Sequence, residues 1–178
     1  MTGRDNKRDR PEFGGDVSSA PLTDTREAME LAQTAQARLE TTDAAAEHYG
    51  LDPRSIQACS EKMLDTIHRG SCQQDVLWVL EISLAMITAV MAVRNEPLPV
   101  TGQVDPASYA MSVLRDIATA ARERGLDFAA LEQAAAGVLK DAEADGDSHL
   151  ETYWAINRAT ASCELAWARS LAEDPPVT

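Results

Sequence analysis

Apolar positions along the chain follow the period of an α-helix rather than that of a β-strand. Between about residues 24 and 172 they recur three and four positions apart, and no segment shows sustained alternation of apolar and polar residues. Glycine and proline signals divide this stretch into six segments of helical length. We therefore predict an all-α fold, a single-domain bundle of about six helices without a sheet.

Residue types at the segment ends indicate where the helices begin and end. The first helix runs from about residue 24 to residue 40 and either continues, or bends at residues 41–43, into a turn that ends at Tyr49, where Gly50 is the C-terminal cap. The fourth and fifth helices are expected to bury Met111 and Ala134, respectively, within their apolar stripes. Three helix starts carry an aspartate cap, at Asp52, Asp105 and Asp127.

The third segment is the most apolar part of the chain. Residues 76–93 are interrupted only by Glu81, Ser83 and Thr88. Their number is close to that of a membrane-spanning helix, but a carboxylate within lipid is costly, and the other segments are amphipathic. We therefore predict a central helix surrounded by the rest of the bundle, and no membrane association.

The two halves of the chain resemble each other. Ala46, Gly50, Leu51 and Asp52 recur 75 residues later, in the same order, as Ala121, Gly125, Leu126 and Asp127. Trp78 recurs 76 residues later as Trp154. This predicts two pseudo-symmetric three-helix halves, residues 22–94 and 105–172. The alternative is that the same Gly-Leu-Asp helix corner occurs twice without a duplication of the whole half.

Acidic residues outnumber basic ones by 29 to 16, which gives a net charge of −13. The charges cancel within residues 1–21, which lack apolar periodicity and are expected to form a disordered arm. Residues 22–172 are expected to form the helical domain, and residues 173–178 a flexible tail. The domain therefore holds the acidic excess, which repels nucleic-acid phosphates and favours basic partners.

The cysteines and the first residues bear on location. The chain has 3 cysteines, an odd and sparse set that is typical of reduced thiols in a reducing compartment. Residues 1–21 are charged and lack the apolar stretch of a secretory signal. We therefore expect a cytoplasmic protein.

Two patterns suggest metal ligands without completing a site. Acidic residues and a glycine from Asp141 to Gly146 match the start of an EF-hand loop, but Thr152 stands where a bidentate glutamate should be. Glu61, Asp65 and His68 share a helix face, but the sequence offers no second acid-histidine pair of the same spacing. We therefore predict no metal and no cofactor.

The corner at Gly50 also has the spacing of a helix-turn-helix motif. A small residue, a turn glycine and a buried branched residue stand at Ala46, Gly50 and Ile56, so that Arg54 and Gln57 would face a DNA groove. However, residues 22–70 hold five basic and nine acidic side chains, and Gly-Leu-Asp is explained by capping alone. DNA binding is therefore a minor alternative.

The strongest candidate site surrounds Glu81, the single charge in the apolar run of residues 76–93. A buried carboxylate must find a partner or take up a proton. Trp78 precedes it by one helical turn, and the 76-residue correspondence adds Trp154 and Asn157, with Arg158 adjoining. We predict that these five residues form a ligand-binding site, or that Glu81 makes an internal ion pair with Arg158 or another arginine, which would fix the register of the helices.

The sequence contains no nucleophile elbow, phosphate-binding loop or dinucleotide fingerprint. The leading interpretation is a non-catalytic acidic helical protein, a regulator or accessory subunit that binds a protein partner or forms a homo-oligomer. The alternatives are a helical bundle that binds a small molecule, with Glu81 as a candidate catalytic acid or base, and a helix-turn-helix regulator.

Overall fold

The computed structural model describes residues 25–67, 73–99 and 105–173. These residues form six helices and no strand, which confirms the predicted all-α class. The expected arm, residues 1–21, lies outside the described residues, as does the expected tail beyond Glu173. The helices are α1 (Thr25–Tyr49), α2 (Pro53–Ile67), α3 (Gln73–Val93), α4 (Pro106–Glu123), α5 (Phe128–Ala144) and α6 (His149–Glu173).

The first helix is continuous through its paired threonines to Tyr49. The hydroxyls of Thr41 and Thr42 each donate a hydrogen bond, of 2.9 Å, to the carbonyl four residues earlier, so that both are satisfied within the helix. Gly50 ends the helix at a φ of +66°. The Leu51 N–H donates to the Ala46 carbonyl at 2.8 Å, which closes a Schellman motif.

The same corner is built a second time at Gly125. Its φ is +69°, and the Leu126 N–H donates to the Ala121 carbonyl at 2.9 Å. The aspartate that follows each corner accepts a backbone N–H two residues ahead at 3.0 Å, Asp52 from Arg54 and Asp127 from Ala129. Capping aspartates thus begin the helices where the sequence predicts them.

Helix packing joins elements that are distant in the chain. The two central helices, α3 and α6, pack against each other. α6 also packs against α1 and α2, and α3 packs against α4 and α5. In contrast, α1 and α2 make few contacts with each other, as do α4 and α5. The first two helices of each half are therefore anchored mainly on the last helix of the other half.

Three expectations about exposure are wrong. Met111 and Ala134, predicted to be inward, are exposed, because α4 and α5 bury narrow stripes that consist mostly of alanine. α3 is surrounded only in its first half: from Val76 to Ser83 every side chain except Glu81 is buried, whereas Val93 is 78% exposed.

Within the part of the chain that the structure describes, α3 is the one helix long and apolar enough to cross a membrane, judged by length and composition alone. Most of it is buried within the protein. The apolar side chains in the first half of α3 are therefore explained by their burial in the core. Apolar side chains of α3 reach the surface only in its second half.

Candidate functional site

The predicted site residues lie on the two central helices, which run in opposite directions. Nδ1 of His149, at the start of α6, lies 2.9 and 3.0 Å from the two carboxylate oxygens of Glu96, just beyond the end of α3. Trp78 and Trp154, each near the start of its own helix, therefore lie toward opposite ends of the α3–α6 pair.

Each tryptophan packs against the residue that precedes a glycine corner. Trp78 is fully buried, and the Arg124 guanidinium carbon lies 5.3 Å from its ring centre. Trp154 is 6% exposed, and the Tyr49 ring centre lies 6.3 Å from its own. Both indole Nε1 atoms are buried and donate no hydrogen bond. A buried donor without an acceptor is costly, so these two N–H groups are unusual features of the core.

Asn157 and Arg158 make their hydrogen bonds to other residues than the two tryptophans and Glu81. Glu81 is half-buried, with its Oε2 atom fully buried. The buried Asn157 side chain donates to the Tyr153 carbonyl of its own helix at 2.9 Å. Arg158 donates to the Asp43 carboxylate at 2.6 Å, because α1 runs along α6 and brings that carboxylate to it. A ligand shared by the five residues stays a prediction.

A second ion pair between α1 and α6 was not foreseen from the sequence. Arg38 donates to Glu164 at 3.2 Å, and both side chains are mostly buried, at 14% and 16% exposure. Burial raises the pKa of the Glu164 carboxyl, while the Arg38 charge and hydrogen bond lower it. The pair joins helices at opposite ends of the sequence. The one sequence signal that could have suggested it is the position of Arg38 beside the alanine stripe of α1.

The residues that the structure describes contain no group of three or more histidine, cysteine or acidic side chains that could hold a metal. Asp141 and Glu143 lie inside α5 rather than in a loop. Glu61 accepts a hydrogen bond from Gln57, and His68 lies outside the described residues.

A small crevice lies between α2 and α5, away from the predicted site. Its volume is about 10 Å³, room for one water molecule. Lys62 and Asp145 form an ion pair at its edge. Burial and a hydrogen bond with Asp147 raise the pKa of the Cys59 thiol, which lines the crevice, to about 12. This thiol is therefore a poor nucleophile at neutral pH.

The corner at Gly50 leaves Arg54 and Gln57 exposed on α2. Ile56 is buried, and α2 packs mainly on α6 rather than on α1. A corner of the same geometry at Gly125 is followed by Phe128 and Ala129 instead of polar side chains. DNA binding through α2 stays a prediction, to which this geometry adds no support.

A surface not anticipated from the sequence lies where α3 ends and α4 begins. Because Arg124, just past α4, covers Trp78 near the start of α3, the two helices run in opposite directions. The end of α3 therefore lies beside the start of α4. The exposed or half-exposed apolar side chains here are called the α3–α4 apolar face, and they are Met86, Ala89, Val90, Val93 and Met111.

The corresponding positions of the other half are more polar. With the offset of 76 residues for α3 and α6, Val93 corresponds to Arg169. With the offset of 75 for α1 and α4, Met111 corresponds to Gln36. Arg169 and Gln36 are both exposed. The other three positions of the face correspond to Ser162, Leu165 and Ala166, of which two are apolar. The pairing of the helices is therefore compatible with polar side chains at the positions of Val93 and Met111.

No protein-family model, curated protein or solved structure matches this chain.

Proposed function

We propose that this protein is a non-catalytic helical interaction protein, a regulator or accessory subunit, which binds a protein partner through the α3–α4 apolar face. The observation that carries the proposal is the exposure of that face on a strongly acidic chain. Val93 is 78% exposed and Met111 57% exposed, at the same end of two adjacent helices.

Contiguous exposed apolar side chains on a soluble protein mark binding sites or aggregation hazards. Their contribution to the fold is small here, because side chains this exposed bury little area. The corresponding positions on α1 and α6 carry Gln36 and Arg169, which shows that polar side chains are compatible with such a helix pair. A binding role explains why Val93 and Met111 are apolar and exposed where their counterparts are polar.

The test is site-specific photo-cross-linking in cells that make the protein. A photoreactive residue replaces Val93 in one variant and Arg169, its counterpart on α6, in a second. The first should give a discrete protein adduct that disappears when Val90 is also changed to Gln, and the second should give none. Equal labelling from both positions, or none from either, would contradict the proposal.

Binding of a small molecule is a second candidate, favoured by the two indole N–H groups that donate no hydrogen bond. A ligand with hydrogen-bond acceptors would satisfy either of them, and the two indoles lie toward opposite ends of the α3–α6 pair. The predicted binding residues remain Trp78, Glu81, Trp154, Asn157 and Arg158.

A thermal-shift screen of small carboxylic acids and heterocycles tests this candidate. A true ligand should raise the melting temperature of the protein and of Arg169→Gln, but not of Trp78→Phe or Glu81→Gln. A screen in which no compound distinguishes these variants would remove this candidate while leaving the first intact.

A further inference from the structure

We infer that the α3–α4 apolar face receives one amphipathic helix of another protein, with basic residues flanking the apolar stripe of that helix. This inference rests on the proposed function and adds the chemistry of the partner.

The spacing of the face suits a single helix. Met86, Ala89, Val90 and Val93 stand at i, i+3, i+4 and i+7 on α3, which is two helical turns, about 11 Å long. An apolar stripe of this spacing is the kind of surface on which one helix packs against another. Met111, on the neighbouring helix α4, adds a further exposed apolar side chain near the same end of the pair.

Methionine side chains suit this kind of contact. Met86 on α3 is half-exposed, and Met111 on α4 is exposed. A methionine side chain is unbranched and can adapt to different apolar partners. The face can therefore adapt to the side chains of a docking helix without a change in the backbone of α3 or α4.

The size of the face argues against a second copy of this chain. A stable dimer usually buries roughly 800 Å² on each partner, whereas two turns of one helix and a single methionine of another present much less. Each copy would also carry the same charge of −13. Two such chains repel each other, and a basic partner is attracted.

Acidic groups at the end of the face give this attraction a local component. Asp105 begins α4, and its hydrogen bonds with Ser108 hold the pKa of its carboxyl below the usual value, so it stays ionised. Glu96, just past the end of α3, is held by His149. Two exposed arginines, Arg94 beside Val93 and Arg115 one turn after Met111, partly offset these charges, so the attraction rests mainly on the net charge of the chain.

The experiment measures binding of synthetic peptides to the full chain by fluorescence anisotropy. The probe is a peptide of about five helical turns with leucines at i, i+3, i+4 and i+7 and lysines on the flanks. One control peptide has the same composition in scrambled order, and another has glutamate in place of lysine. Two protein variants are compared: Val93→Gln with Met111→Gln, and Met29→Gln, whose methionine is 60% exposed on α1.

The lysine peptide should bind the wild-type protein, and Kd should rise when salt is added. The double variant should weaken binding by about tenfold or more, as loss of apolar anchors does. Met29→Gln should bind like the wild type, and both control peptides should bind weakly. Circular dichroism should show the double variant as helical as the wild type, because both replaced residues are exposed.

Other outcomes would overturn the inference. Equal binding of the scrambled peptide would show attraction by charge alone. A dimer that the double variant loses would identify a second copy as the occupant and would leave the proposed function standing. A protein adduct from position 93 without peptide binding would overturn the inference about a basic helix and would also leave the proposed function standing. Binding to phosphatidylserine vesicles that the double variant loses, or neither adduct nor peptide binding, would overturn both.

Discussion

The central helices α3 and α6 are similar at buried positions and different at outward ones. Each packs against the other, against one long antiparallel helix and against one shorter helix. Leu80 and Ile156 are fully buried at corresponding positions, as are Trp78 and, almost fully, Trp154. Farther along, Val93 corresponds to Arg169. Packing constrains the inner positions, so the outward difference is where the two helices are free to differ in function.

This pairing of helices is the one that a two-fold axis between the halves would produce. α1 packs against α6 as α4 packs against α3, and α2 packs against α6 as α5 packs against α3. The glycine corners also have the same hydrogen bonds. A duplication of one three-helix unit stays a prediction, and the experiments below test how far the two halves are interchangeable.

The largest effect should come from separating the halves. Residues 1–99 and 100–178, made as separate chains, should each be largely unfolded, because the first two helices of each half pack mainly on the last helix of the other. Mixed or co-expressed, they should assemble and regain helical circular dichroism. A single half that unfolds cooperatively as a monomer would contradict the packing described.

Leu80→Ala should destabilise the protein by about 2–5 kcal/mol, as loss of a buried leucine does. Ile156→Ala, at the corresponding position of α6, should have a similar cost. Leu84, which is half-buried one turn later, is the matched control and should cost less when replaced by alanine. Urea denaturation measures all three. Equal losses at residues 80 and 84 would show that the second half of α3 is as enclosed as the first.

The contact between α1 and α6 contains the ion pair of Arg38 with Glu164. At the corresponding positions of the α3–α4 contact stand two uncharged residues, Val113 and Thr88. Burial raises the pKa of Glu164 above 4.5, its ordinary value. The folded state therefore favours the protonated carboxyl, a stabilising contribution that is lost as pH rises through the raised pKa.

The measurement is the difference in unfolding free energy between Glu164→Gln and the wild type. The stability of Glu164→Gln relative to the wild type should increase as pH rises from about 4.5 toward neutrality. Thr88→Val, at the corresponding position of α3, should show no such change with pH. A difference that moves the other way would mean that Arg38 outweighs burial.

Exchanging the outward residues should have the smallest effect on stability and the sharpest effect on binding. Val93→Arg with Met111→Gln, and separately Arg169→Val with Gln36→Met, should each change the free energy of unfolding by no more than about 0.5 kcal/mol, as most surface substitutions do. The first exchange should abolish binding of the lysine peptide. The second should create weak binding on α1 and α6. A large loss of stability from either would show that these positions belong to the core.

Local signals in the sequence predicted most of the fold. The cap at Asp127 and the corner at Gly50 appear as expected because each depends on a few adjacent residues. The side on which a helix packs was less predictable. Met111 was placed inward by its spacing, whereas α4 buries the stripe through Ala110, Ile117 and Ala121, and in an alanine-rich helix little apolar area distinguishes one side from another.

The candidate site depended on contacts that the sequence does not encode locally. The partner of Arg158 is Asp43, 115 residues away, and Arg38 and Glu164 are 126 residues apart. Both pairs form because α1 lies along α6. The residue spacing within a helix does not show which other helix it packs against. The α3–α4 apolar face was missed for a related reason, because an apolar run does not show which of its turns are covered.

The docking of α1 on α6 also has a consequence for synthesis. A nascent chain emerges with its N-terminal helices first, yet the surface on which they rest is translated last. Contacts of such high sequence separation slow folding, since a long loop must close before they form. Until α6 has left the ribosome, the alanine-rich face of α1 and the face of α2 with Ile56, Met63 and Ile67 have nowhere to pack. A chain released early would expose them to aggregation and to quality-control proteases.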